Sequence, residues 1–289
     1  MIIIMDCNNI CHIVKHTMGE LSLGEIQTGV IFGFMRQLMH FATILDEHKF
    51  VFAWDSKKSK RRDIYPQYKM NRVKKDRTQE QEMFDNLCYL QFNEIRRKIL
   101  PSLGFKHNYI MTGYEADDII ANIVLNNSGF HGFHNENITI ISSDNDLLQL
   151  IGFADIYNPR SKQIEDTQEI LKKYGTMSMY EMKALMGCSG DNVPGIEGMG
   201  EKRAIDFLKF NQASPLMKKK IQNWYKDGYD LSLRLVKLPF ENMPIIKIDL
   251  ASFDEERINY DAFVLICKEY GFNSFLKGED IWIKRFNMR

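Results

Sequence analysis

The chain lacks a long apolar run: nothing in its 289 residues approaches the roughly 20 apolar positions that a membrane-spanning helix needs. The short apolar N-terminus, Met1 to Met5, is interrupted by Asp6 too early for a signal peptide. Cysteines are few. The five of them, at positions 7, 11, 88, 188 and 267, form an odd set without framework spacing, which argues against a disulfide scaffold and suits a reducing compartment. Cys7, Cys11 and His12 have no matching second pair, so a zinc site is not supported. There is no glycine-rich run ending in Lys-Ser/Thr, which sets aside phosphate transfer from a nucleotide. Net charge is absent too, with 38 basic residues against 38 acidic, so the isoelectric point indicates no partner. The length suits one large domain, or one domain with an appendage.

What is present is unevenly placed. Between Lys57 and Arg77 stand ten basic residues and two acidic ones, a local balance of +8 that suits a polyanion. The counterpart is Gly113-Tyr114-Glu115-Ala116-Asp117-Asp118, three carboxylates in four residues, followed by the apolar run Ile119 to Leu125. Like charges this close raise one another's pKa unless a cation compensates them. A second acidic pair, Asp144 and Asp146, follows the strand-like Ile138 to Ile141.

Met1 to Met5 reads as a buried central strand delivering Asp6 at its end, and Lys49 to Trp54 repeats the pattern with Asp55. Helical apolar spacing covers residues 25–47 and 78–100, and Phe105 to Met111 reads as a further strand. Strands alternating with helices predict right-handed crossovers and an α/β fold with a mostly parallel central sheet. Sites in such sheets form beyond the carboxyl ends of the strands, where Asp6, Asp55, Asp144, Asp146 and the 115–118 cluster converge. Oxygen ligands without His or Cys indicate a hard cation, Mg²⁺ or Mn²⁺. Two such ions about 4 Å apart suit hydrolysis of a phosphodiester.

Further along, Met186 to Ala204 holds Gly195, Gly198 and Gly200 between two apolar helical patterns. That hairpin can turn tightly and offer backbone N–H groups to a phosphate beside a new helix N-terminus, gripping backbone without reading bases.

Together these residues resemble the 5′-nuclease superfamily: flap endonucleases, the 5′-nuclease domain of bacterial DNA polymerase I, and stand-alone phage 5′-3′ exonucleases. The match covers most of residues 1–210. Asp6 and Asp55 are similar to the family's strand-end aspartates, Glu115-Ala116-Asp117-Asp118 to its EADD motif, and Ser143 to Leu150 to its SxDxDxxQL motif. Arg61, Tyr65-Pro66, Tyr68-Lys69 and Asn71-Arg72 resemble its basic segment, and Asp191 to Lys202 its hairpin. The resemblance implies a PIN-like nuclease core over 1–175 with a helical arch at about 57–100, and a helix-hairpin-helix and C-terminal helical region over 176–289. It implies two Mg²⁺ or Mn²⁺ ions held by Asp6, Asp55, Glu115, Asp117, Asp118, Asp144, Asp146 and Asp191, and K⁺ at the hairpin. Lys69 and Arg72 are implied at the scissile phosphate and Tyr68 against a terminal base. Arg61, Gly195, Gly198, Gly200 and Lys202 complete the implied DNA contacts. The substrate is then DNA with a 5′ end, flap, nick or single-strand/duplex junction, including RNA–DNA hybrids, met by an intracellular monomer in the cytoplasm or, for a phage-encoded chain, in the host's cytoplasm.

One position departs from the pattern. Gly187-Cys188-Ser189-Gly190-Asp191-Asn192 carries Cys188 where the family has the first of two aspartates. Sulfur is a poor Mg²⁺ ligand, so Cys188 either weakens the metal position of Asp144, Asp146 and Asp191 or is tolerated because Mg²⁺ works partly through water. The alternative function is a branched-DNA-binding protein with little catalysis. A related metal-dependent ribonuclease is less well served by the glycine hairpin.

Overall fold

A computed structural model describes residues 1–72, 78–127, 137–174 and 179–288. Lys74, Lys75 and Arg77 of the basic run lie outside the described residues.

Three apolar strands form the centre: β1 (Ile2–Asp6), β4 (Phe50–Trp54) and β6 (Ile138–Ile141), every residue of which is buried. Runs so continuously apolar need cover on both faces, which parallel sheets with helical crossovers provide. β1 pairs in parallel with both β4 and β6, with Met5 opposite Phe52 and Ile141. β5 (Asn108–Ile110) and β7 (Asp155–Asn158) extend the sheet in parallel, and β8 (Gln163–Ile164) closes one edge antiparallel. The order is β5-β4-β1-β6-β7-β8. A small hairpin, β2 (Ser22–Leu23) and β3 (Ile26–Gln27), stands apart.

Side chains alternate between the faces. Ile3, Met5, Phe50, Phe52 and Trp54 meet α1 (Cys7–Met18) and α2 (Gly29–Ile44). Ile2, Ile4, Val51, Ala53, Ile138 and Ile140 meet α6 (Ala116–Asn127). α3 (Lys60–Ile64) follows β4 on the basic segment. Of the region 57–100, expected to form an arch over the site, the described residues from 79 onward are helical. α4 (Gln79–Glu94) continues through a π-helical turn (Ile95–Ile99) into α5 (Leu100–Leu103), and all three lie against the body. Gln91 Oε1 accepts the Val30 and Ile31 N–H groups at 2.9 and 3.1 Å, and Lys15 pairs with Asp85.

α7 (Thr167–Tyr174), α8 (Met179–Met186), α9 (Glu201–Phe210), α10 (Pro215–Asp227) and α11 (Tyr229–Val236) build the part that carries the glycine-rich loop. The chain then returns. α12 (Ala251–Asp254) precedes α13 (Tyr260–Tyr270), α14 (Asn273–Lys277) and α15 (Glu279–Phe286), which bury Phe263, Ile266, Trp282 and Phe286 on the first face of the sheet. Residues 258–288, within the helical region expected over 176–289, therefore pack into the core of the sheet. Among the described residues no helix is long and apolar enough to cross a membrane.

The second face is sealed by an extended segment that α6 holds like a strand. Asn122 donates to Pro244 O at 3.2 Å and accepts the Ile246 N–H at 2.8 Å; Asn127 donates to Ile246 O at 3.0 Å and accepts the Ile248 N–H at 3.2 Å. Asn122→Leu should strand those buried backbone groups and lower the unfolding free energy by about 1–3 kcal/mol. Asn126→Ala, a neighbouring substitution on a more exposed face, should change it by less than about 0.5 kcal/mol. Urea denaturation of both variants tests this, and equal losses would refute the role of Asn122.

Candidate metal centre and nucleic-acid interface

The strand-end aspartates are fixed by the turns that follow them. Asp6 ends β1 and caps α1, accepting the Asn9 N–H at 3.0 Å and the Ser142 hydroxyl at 2.8 Å. Asp55 follows β4, and its Oδ1 accepts the Ala116 N–H at 2.7 Å, so one strand-end carboxylate caps the acidic helix. Asp144 caps the short turn after β6 through the Asp146 N–H at 2.9 Å. Two amides missed in the sequence lace these ends together: Asn8 Oδ1 accepts the Asp55 N–H at 3.0 Å, and Asn9 Oδ1 accepts both the Ser143 N–H and hydroxyl at 3.1 Å. Consecutive Asn residues shortly after a strand-end Asp were the available signal.

The negative charge so gathered is poorly solvated. Burial first, then repulsion from Asp55 and Asp144, pushes Asp6 up to about 7, and the residue is only 6% exposed. Asp117 is held well above the usual carboxylate range by desolvation and by the neighbouring Asp118 and Glu115. Carboxylates in this state are short of positive charge, and their oxygens suit a hard divalent ion. Among the described residues no three such side chains are yet close enough to hold one ion.

Basic side chains stand between them instead. Lys69 Nζ lies 2.7 Å from Glu115 and 4.0 Å from Asp191, and Arg72 pairs with Asp191. Against desolvation, which alone would raise it, Lys69 and Arg61 hold the Glu115 carboxyl below its usual range. Lys183 on α8, the lone cation in an otherwise apolar and acidic helix, pairs with Asp146. Desolvation lowers its pKa, opposed by the charges of Asp144, Asp191 and Asp117 nearby. Sequence reasoning passed over it, although a lone lysine in Met179–Met186 was legible.

Three expected contacts are placed otherwise. Asp118 is 0% exposed and its carboxylate is saturated: Arg61 binds it through both oxygens at 2.6 and 2.7 Å, and it accepts the Glu115 and Phe240 N–H groups at 3.0 and 2.7 Å. These four donors leave it no free lone pair for a cation. Arg61, 2% exposed, also donates to Leu235 O at 2.8 Å and cannot reach a polyanion outside. Tyr68, 3% exposed, gives its hydroxyl to Glu115 at 3.0 Å and presents no face for a base.

The glycine-rich loop faces the same edge. A pair of backbone hydrogen bonds between Cys188 and Val193, at 3.0 and 2.9 Å, closes a turn that carries the buried Asp191. At Gly195 a Cβ would come within 2.2 Å of Met186 O, and Gly198 has φ +80°, so both positions require glycine. A Cβ at Gly200 would meet nothing within 4 Å: the space in front of the α9 N-terminus is open, with Lys202 exposed beside it.

Residues 1–175 match the family described as 5′-3′ exonuclease, N-terminal resolvase-like domain. The chain belongs to the 5′-3′ exonuclease family. The 5′-3′ exonuclease of Aquifex aeolicus is 31% identical over 224 residues, covering 73% of this chain and 72% of that protein. DNA polymerase I of Bacillus subtilis is 26% identical across 96% of this chain, which corresponds to 32% of that polymerase. The fold is similar to that of T5 5′-exonuclease with bound zinc ions, with a TM-score of 0.67 at 21% identity, over 82% of this chain and 89% of that one. Membership in this exonuclease family makes the chain a phosphodiester hydrolase.

Two outcomes follow for this exonuclease-family site. Because folding raises the Asp6 pKa from 3.8 to about 7, the folded chain keeps a proton that the unfolded chain has lost. Metal-free stability should therefore fall between about pH 4 and 7, by about 1.4 kcal/mol for each pH unit crossed, and level off above. Thermal melts in EDTA should show a slope at least this steep, since Asp55 and Asp117 are raised as well, and Asp6→Asn should lessen it by about 1.4 kcal/mol per pH unit; an unchanged slope would assign it to those other groups. Arg61→Met leaves Asp118 buried and unpaired and should cost about 3–5 kcal/mol in urea unfolding. A loss below about 1 kcal/mol would mean that the pair is not structural.

Proposed function

We propose that this chain is a structure-specific 5′-nuclease that hydrolyses phosphodiesters at 5′ ends and 5′ flaps of DNA, dependent on Mg²⁺ or Mn²⁺. The observation that carries this reading is the meeting of desolvated carboxylates with a cationic segment and an open glycine-rich loop along one sheet edge. Asp6, Asp55, Glu115 and Asp117 would hold one ion, and Asp144, Asp146 and Asp191 a second. Bound divalent ions of this kind lower the pKa of water and offset charge on the departing oxygen.

The chain's own groups supply the rest. Lys69 and Arg72, paired with Glu115 and Asp191, would turn that positive charge to the scissile phosphate, Lys69 as a point charge and Arg72 as a fork. Gly198, Gly200 and the α9 N-terminus, with Lys202, would take a phosphate of the duplex, so recognition follows structure and weakens with salt. T5 flap endonuclease, similar in fold with a TM-score of 0.66, has been crystallised with DNA and metal ions, which agrees with this reading.

Incubating a labelled 5′-flap duplex with Mg²⁺, Mn²⁺ or EDTA tests the proposal. Cleavage should require the ion; binding without cleavage under every condition would favour the branched-DNA-binding alternative. Asp117→Asn should reduce cleavage by about 10²-fold or more while junction affinity stays within about threefold. Loss of both together would make Asp117 structural.

A further inference from the structure

Residues 67–72 and 188–192, about 120 positions apart in the chain, meet in a reciprocal clasp. The Lys69 N–H donates to Asp191 O at 2.8 Å, and the Asn192 amide donates to Gln67 O at 2.8 Å. The Asn71 amide donates to Ser189 O, and Arg72 Nε to Gly190 O at 3.3 Å, while Arg72 also pairs with the Asp191 carboxylate. Both sides use a left-handed residue that is not glycine: φ is +57° at Lys69 and at Asn192. A lysine holds that conformation only where its surroundings fix it. The Cys188–Val193 pair closes the loop on its far side, and the chain runs from Val193 through Gly195 to Gly198 and Gly200.

The consequence is mechanical. The backbone that aims Lys69 at Glu115 is hydrogen-bonded to the loop that leads into the glycine turn, so a displacement of one side is carried to the other. Of these contacts, those of Lys69 and Arg72 involve groups already placed at the phosphate. Asn71 and Asn192 touch neither the carboxylates nor the reacting atoms. Their amides are neutral, so they bind the opposite backbone without competing for the acidic groups.

We propose that Asn71 and Asn192 are positioning residues that couple the glycine-rich loop to Lys69 and Arg72, so that duplex seated on the loop sets the two cations at the scissile phosphate. This rests on the reading of the loop as a duplex-binding element. A misplacement of about 1 Å at a reacting centre costs about 10²-fold in rate, which gives the coupling its leverage.

The test uses 5′-flap substrates whose duplex arm is either too short or long enough to reach the loop, assayed with the full chain in saturating Mg²⁺. In the wild type the longer arm should lower KM and raise kcat. Asn71→Ala and Asn192→Gly, the latter keeping the left-handed turn, should lower kcat on the long arm by about 10²-fold. In both variants kcat should no longer depend on arm length, while KM still falls with the longer arm. Their thermal midpoints in EDTA should match the wild type. If both variants keep the wild-type gain in kcat with arm length, the coupling is refuted and the loop's duplex role stands. Parallel losses of kcat, KM and melting temperature would also refute it, leaving the clasp as packing. A wild type indifferent to arm length in both kcat and KM would sink the duplex-binding reading and the coupling with it.

Discussion

The buried fork between Arg61 and Asp118 is the interaction on which the rest of the arrangement depends. It joins the start of the basic segment to the first turn of the acidic helix, and its remaining hydrogen-bonding capacity reaches Leu235 O and the Phe240 N–H. Four parts of the chain are therefore positioned by one ion pair: α3, α6, the end of α11 and the loop after it. Desolvating two charges is costly, and the fork is worth forming only because the groups around it find partners. Beyond it, Tyr68 and Lys69 reach Glu115, and Arg72 reaches Asp191, at the mouth of the carboxylate cluster.

Around that anchor the site is a balance of charge that is left incomplete. Arg61, Lys69, Arg72 and Lys183 each take a carboxylate, while Asp6 and Asp117 are left with raised pKa values. Part of the positive charge is carried by long side chains that solvent still reaches, and the fixed part by the one buried arginine. That division suits a centre where cations and a phosphate must exchange places.

Much of this was legible in the sequence, and what was not has a physical reason. Three apolar runs leading to aspartates gave away β1, β4 and β6, because strands buried on both faces must read as continuous apolar stretches. The glycines of the loop were equally plain, since two of them answer steric or left-handed demands. Orientation was hidden. Asp117 and Asp118 are adjacent in sequence but about 100° apart around a helix, so one faces the cluster and the other faces Arg61. Arg61 and Tyr68 looked like surface contacts because a run of basic residues does not reveal which member turns inward. The return of residues 251–288 to the sheet was hidden for a related reason: amphipathic helices reveal that they have an apolar face, not which distant surface it covers.

Excess negative charge also changes what a lost carboxylate means. In an ordinary ion-paired site, exchanging an acid for a thiol removes an attraction. Here the neighbours of Cys188 are Asp191 and the Asp146-bound Lys183, within a cluster whose acids already repel one another. Cys188 offers no carboxylate there, so Lys183 is left to Asp146 and the site has one oxygen donor fewer than the aspartate of the resembled pattern would give. Position 188 thus sets the number of oxygen donors without adding a further acid to the cluster.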